Sequence, residues 1–198
     1  MESITHIEKG NIKNTHLKKL AGIVYKAFET KITALRIRKD TAHAILLNSS
    51  NPDSAFFAYR ENRLAGVAGI VTKNSRFLHC GLKELRKHYN ILRALFYYLV
   101  LNFSRRISPD ELKVEALVVP GEMREQGIGT CLMKRVEQFA VENGYSILSL
   151  DVVDTNTGAR KLYERLGFDK VRTTRYGILT RRAGFTGSHY MRKMITKS

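Results

Sequence analysis

Two cysteines, Cys80 and Cys131, are too few for a disulfide framework, and no Cys/His cluster stands at metal-ligand spacing. A disulfide-stapled scaffold and a zinc module are therefore excluded, and no metal is expected. Three prolines and 14 glycines exclude collagen-like and low-complexity chains. A long apolar run is also missing: Ala94 to Leu101 is the most apolar stretch, far short of the roughly 20 residues a membrane-spanning helix requires. The opening MESITHIEKG has an acidic second residue and no apolar run behind it, so a signal peptide is not expected. A soluble, intracellular, cytoplasmic protein is the expectation.

Acid is the scarcest commodity, with 18 Asp+Glu against 34 Lys+Arg for a net charge of +16. The distribution is uneven. Residues 1–72 carry 11 basic and 6 acidic side chains, 73–106 carry 8 and 1, 107–159 carry 4 and 9, and 160–198 carry 11 and 2. An acidic segment thus lies between strongly basic ones, and a working centre of different electrostatic character from its surroundings is one reading; a basic surface kept for solubility is the other. With 198 residues and 43% apolar content, the chain suits one domain, 1–198, with a real core.

Hydrophobic periodicity predicts the order of elements. A short strand within Met1 to Lys9 precedes a helix capped at Asn14 or Thr15 with apolar positions Leu17, Leu20, Ala21, Val24, Ala27 and Phe28. A second helix covers Thr41 to Leu47, and a hairpin joins strands Ser54–Arg60 and Arg63–Thr72 through Glu61-Asn62. Leu82, Leu85, Tyr89, Leu92, Leu95, Phe96, Leu99 and Phe103 keep helical period, which predicts one amphipathic helix of about six turns from Leu82 to Phe103. Then come strand Leu112–Val119, helix Ile128–Asn143, strand Tyr145–Val153, helix Thr157–Leu166, and strands near Phe168–Thr174 and Ser188–Met194.

Two local patterns carry chemistry. Arg124-Glu125-Gln126-Gly127-Ile128-Gly129 lies between a strand ended by Pro120 and a helix that starts at Gly127. Such a loop turns successive backbone N–H groups toward one point, the helix dipole adds positive potential, and glycines let an anion approach the backbone. A tight strand-to-helix turn without a ligand fits the same spacing. Further on, Asn156 stands at a helix N-cap and Tyr163 seven residues later, so a polar donor and a phenol share one helix face. A cap and a packed tyrosine fit that pattern equally.

Together and in order, these patterns resemble the GCN5-related N-acetyltransferase (GNAT) family from about Leu112 to Phe168. The resemblance implies a mixed, mostly antiparallel α/β sheet flanked by helices and splayed where acetyl-CoA enters, here with a helical insertion at about 74–108 between the third and fourth strands. It implies that Arg124, Glu125, Gln126, Gly127, Ile128, Gly129 and Thr130 hold the pyrophosphate of acetyl-CoA. Leu117, Val118 and Val119 would bond the pantetheine arm through their backbone, Asn156 would contact it, and Tyr163 would protonate the departing thiolate.

The implied reaction is acetyl transfer to a primary amine in a ternary complex. It needs a neutral amine, an oxyanion stabiliser and a proton for the thiolate. Glu115 is the candidate base, because a carboxylate inside an apolar strand is costly unless it faces a wet cleft; Glu111 and Glu122 are rivals, and a structural role for Glu115, facing solvent at the strand edge, is the alternative. Partners are then acetyl-CoA and an amine acceptor. A homodimer is compatible with the sequence. A basic nucleic-acid-associated protein and a non-catalytic CoA-binding or membrane-peripheral module are the alternatives, with no motif for nucleic acid or a membrane surface. The inserted helix has an apolar stripe that must cover something: the sheet, a partner subunit or the acceptor pocket.

Overall fold

The computed structural model describes residues 6–10, 12, 14–102, 107–176 and 184–195. Its elements are β1 (His6–Lys9), α1 (Asn14–Ala34), α2 (Lys39–Ser49), β2 (Ala55–Arg60), β3 (Arg63–Val71), α3 (Leu82–Arg86), α4 (Ile91–Asn102), β4 (Glu111–Val118), α5 (Ile128–Glu142), β5 (Ile147–Val153), α6 (Thr157–Arg165), β6 (Asp169–Arg175) and β7 (Gly187–Met194). The seven strands form one sheet in the order β1-β2-β3-β4-β5-β7-β6. Only the β4–β5 pair is parallel, so the sheet is mixed and mostly antiparallel, as expected.

Alternation along the strands divides the apolar side chains between two faces. Phe56 and Ala58 of β2 join Ile128, Leu132 and Val136 of α5 and Tyr163 of α6 in one core. Ala55, Phe57 and Tyr59 of the same strand face Leu20 and Val24 of α1. A third cluster lies away from the sheet, where Tyr25 and Ile32 of α1, Ala42 and Ile45 of α2, Leu85 of α3, and Ala94 and Tyr97 of α4 pack together.

The single helix expected from Leu82 to Phe103 is corrected by the structure. The segment forms two helices, α3 and α4, separated at Lys87–Asn90. Asn90 starts the second: its Oδ1 accepts from the Arg93 N–H at 3.0 Å and its carbonyl from Ala94 N–H at 2.8 Å. An asparagine that satisfies the first amides of a helix competes with continuing the previous one. Phe103, the last residue of the expected helix, lies outside the described residues, as do residues 1–5 of the expected first strand. Of the surfaces the stripe was expected to cover, the sheet is not the one met by α4, where Ala94 and Tyr97 are buried while Leu92, Leu95, Phe96 and Leu99 are exposed.

Two irregularities place the site. The β4–β5 pairing ends at Val114↔Leu150 although both strands run on, so the sheet splays beyond that point. At the same place β4 bulges: Ile70 pairs with Val114 and Gly69 with Ala116, leaving Glu115 as the extra residue. The bulge shifts the alternation by one. Leu112 and Val114 face the α5 side, whereas Ala116 and Val118 face the α1 side.

Candidate active site

The splay between β4 and β5 opens into a cleft of about 940 Å³. Its walls are the end of β4 with the following residues to Val119, the start of α5, the end of β5, the start of α6, and Ala27 and Phe28 of α1. The other edge of Ala116–Val118 is bonded to β3, so the edge facing β5 is the one left for a ligand.

The loop after β4 behaves as the glycine pattern predicts. Gly127 is the N-cap of α5 with φ of 79°, a left-handed conformation that glycine adopts without a Cβ penalty. No side chain caps α5, and the first intrahelical bond runs from Cys131 N–H to the Gly127 carbonyl. The amides of Ile128, Gly129 and Thr130 therefore point out of the helix end without an intrahelical partner. A Cβ on Gly129 would lie 3.5 Å from Leu162, so the glycine is not demanded by packing there.

Around that loop, Arg124 donates from Nε to the Val119 carbonyl at 3.2 Å, which ties the loop back to its strand. Gln126 does not line the cleft. Its amide nitrogen donates to the Glu122 carbonyl at 3.2 Å and its Oε1 accepts from Arg60, so its side chain braces the loop. Glu125, at φ of 63°, lines the cleft beside Arg124. Lys161 and Arg165, one turn apart on α6, also line it and add positive charge that sequence reasoning missed; their i, i+4 spacing after Asn156 was the available signal.

Asn156 is the N-cap of α6, its Oδ1 accepting from Ala159 N–H at 3.1 Å. The capping reading is thus correct, and the same side chain borders the cleft. Tyr163 is 7% exposed, packs on Phe168 at 5.9 Å between ring centroids, and also lines the cleft. Burial alone pushes its phenol up to about 12.

Glu115 lies in the cleft wall, held by groups the sequence did not announce. Its Oε2 accepts from Leu78 N–H at 2.9 Å, and Arg76 Nη2 lies 3.5 Å from Oε1. Burial raises its pKa above the ordinary glutamate value, opposed by the Leu78 hydrogen bond and then by the charges of Arg76 and Lys113. The 76–78 segment is itself fixed by Phe77, whose N–H donates to the Ile70 carbonyl at 3.0 Å and whose ring fills the space over Gly69. A Cβ at Gly69 would fall 2.1 Å from that ring. Asp151 of β5 borders the cleft too, paired with Lys113 at 2.7 Å.

The rival carboxylates stand elsewhere. Glu111 is 1% exposed at the start of β4 and accepts from Ser149 Oγ at 2.5 Å, Tyr190 OH at 2.9 Å and Ser108 N–H at 3.2 Å. Glu122 is exposed on the turn before the glycine loop. No group of three or more His, Cys, Asp or Glu able to hold a metal ion occurs among the described residues.

Residues 24–168 match the model of the acetyltransferase (GNAT) family. The chain belongs to that family. Among curated proteins it is 33% identical over 108 residues to a probable N-acetyltransferase camello of Xenopus tropicalis, covering 50% of this chain and 49% of that protein. It is also 36% identical over 74 residues to the thialysine N-epsilon-acetyltransferase of Bos taurus, 37% of this chain and 41% of that one. The chain thus matches about half, or less, of the length of these relatives. An N-acetyltransferase structure from Staphylococcus aureus Mu50 superposes with a TM-score of 0.66 at 16% identity, over 95% of this chain and 100% of that one. The arylalkylamine N-acetyltransferase 2 of Aedes aegypti gives 0.61 at 16%, over 96% and 99%. Both likenesses are of fold.

Proposed function

We propose that this GNAT protein transfers an acetyl group from acetyl-CoA to a primary amine by direct attack within one ternary complex. The observation that carries the reading is the splayed end of β4, which puts an unpaired strand edge, a helix end with free amides, Glu115 and Tyr163 around one cleft. Acetyl-CoA supplies the activated acetyl group. The amides from Gln126 to Thr130 receive its pyrophosphate, with Arg124, Lys161 and Arg165 as cations at the same mouth. The backbone of Leu117, Val118 and Val119 extends the sheet to the pantetheine arm, and Asn156 reaches it from α6.

Glu115, with its pKa raised by burial, is a stronger base than an exposed glutamate and takes a proton from the attacking amine. Tyr163 stays protonated throughout neutral pH and gives its proton to the leaving thiolate. A free thiol has a pKa of about 8.5, well below this phenol. The same burial that raises the phenol also raises a thiol held against it, which narrows the gap. The N–C bond forms, the C–S bond breaks, and one amine proton ends on sulfur after Glu115 and Tyr163 exchange protons with solvent.

The test is acetyl-CoA binding by calorimetry and CoA release with a panel of amines, in the wild type and in Gly129→Asp. The anion introduced at the helix end should abolish acetyl-CoA binding while the fold persists, since the position has room for a Cβ. Unchanged binding in a folded variant would contradict the assignment of the loop.

A further inference from the structure

Helix α4 is apolar on both faces. Ala94 and Tyr97 are packed against the α1–α2 cluster, and Tyr97 OH donates to the Leu35 carbonyl at 2.9 Å. Away from that cluster, Ile91, Leu92, Leu95, Phe96 and Leu99 are exposed by 50, 77, 45, 55 and 60%. At 100° per residue these five positions fall within about 140° of arc, one continuous stripe. A surface helix ordinarily carries its charged residues on this side. Here Arg93 is the only charged residue in α4. Isolated exposed leucines are ordinary, but a contiguous stripe marks an interaction surface.

Charge decides the partner. From Leu82 to Asn102 the charged residues are Lys83, Arg86, Lys87 and Arg93 against the single acid Glu84. Lys83 and Arg86 are exposed on α3, the neighbour of α4, Lys87 just after α3 pairs with Glu84, and Arg93 is exposed on α4 itself. A second copy apposed through this face would bring like charges together. A nucleic acid would suit the cations and leave the stripe in water. We propose that α4 is an interfacial helix that seats on an anionic lipid bilayer, with its leucine and phenylalanine stripe among the acyl chains and the α3 and α4 cations at the headgroups. Twelve residues make a helix of about 18 Å, and no described helix is long and apolar enough to cross a membrane; the helix therefore lies in the surface plane.

The experiment measures sedimentation of the full chain with vesicles of phosphatidylcholine alone and of phosphatidylcholine mixed with phosphatidylglycerol. Binding is expected only to the anionic vesicles and should fall with added salt. The combined Lys83→Gln, Arg86→Gln and Arg93→Gln variant should lose affinity on the order of a hundredfold, at roughly fivefold per cation. Leu92→Ser with Phe96→Ser and Leu99→Ser should abolish binding while acetyl-CoA binding and thermal midpoint persist, which separates this surface from the cleft. The chain has no tryptophan, so Leu92→Trp gives a single reporter whose emission should shift blue on anionic vesicles. Val171→Trp, at an exposed position on β6, should not shift. Failure to sediment, or sedimentation that survives the triple serine variant, would overturn the proposal. So would a blue shift without lipid that tracks dimer formation in sedimentation velocity, or binding to RNA with Leu92→Trp emission unmoved.

Discussion

The two ends of β4 each hold a glutamate in an apolar strand, buried at Glu111 and half-buried at Glu115, and they treat it in opposite ways. At the paired end, where β4 and β5 are still hydrogen-bonded, Glu111 meets two hydroxyls and a backbone amide. At the splayed end, four residues on, Glu115 sits on a bulge, keeps one amide and one loosely placed arginine, and opens onto a cleft. Burial of a carboxylate does not by itself mark a reactive group. A carboxylate whose acceptor sites are filled from the protein is a structural tie. One left partly unfilled beside a cavity, with its pKa raised, is free to take a proton.

The comparison is broken or sharpened first at Tyr163, the other proton-handling group of the open end. Tyr163→Phe should lower kcat by about 10²- to 10⁴-fold where chemistry limits the rate. Acetyl-CoA affinity and thermal midpoint should change little, since burial is the only influence found on its phenol. The closed end should answer in stability instead. Glu111→Ala leaves Ser149 Oγ, Tyr190 OH and Ser108 N–H without their acceptor and should cost about 3 kcal/mol in urea unfolding, with kcat of the folded fraction retained. A smaller effect is expected at Gly69→Ala, where the new Cβ displaces Phe77. Overpacking should cost about 1–3 kcal/mol, and the displaced Leu78 and Arg76 should leave Glu115 with a higher apparent pKa in the rate profile, because both lower it in the native arrangement.

Most of the frame was legible in the sequence because it depends on local rules. The strand expected at Arg63–Thr72 is Arg63–Val71 and the helix expected at Ile128–Asn143 is Ile128–Glu142, each marked by period and by a glycine or turn. The glycine loop and the Asn156 cap were legible for the same reason. What escaped was set by tertiary partners. A bulge at Glu115 leaves no trace in an alternating apolar strand, and the groups that hold Glu115 come from 37 residues away. Gln126 belongs to a cofactor pattern in sequence, yet its side chain is taken by Arg60, 66 residues distant. The periodicity of Leu82 to Phe103 ran through the Asn90 cap, so one helix was expected where two exist. That periodicity also identifies a stripe without saying which way it faces.

Glu115 also links function to stability. Its pKa is raised in the folded state, so the folded protein holds this proton more tightly than the unfolded chain. The contribution to stability is present below the ordinary carboxylate range and lost as pH rises through the raised value. The most direct test of the contrast between the two ends of β4 is kcat against pH for the wild type, Glu115→Gln and Glu111→Gln. The wild type and Glu111→Gln should share an acidic limb whose apparent pKa lies above the ordinary glutamate value. Glu115→Gln should lose that limb and fall by about 10²-fold on the plateau. An acidic limb that persists at full rate in Glu115→Gln, or that vanishes in Glu111→Gln, would contradict the account.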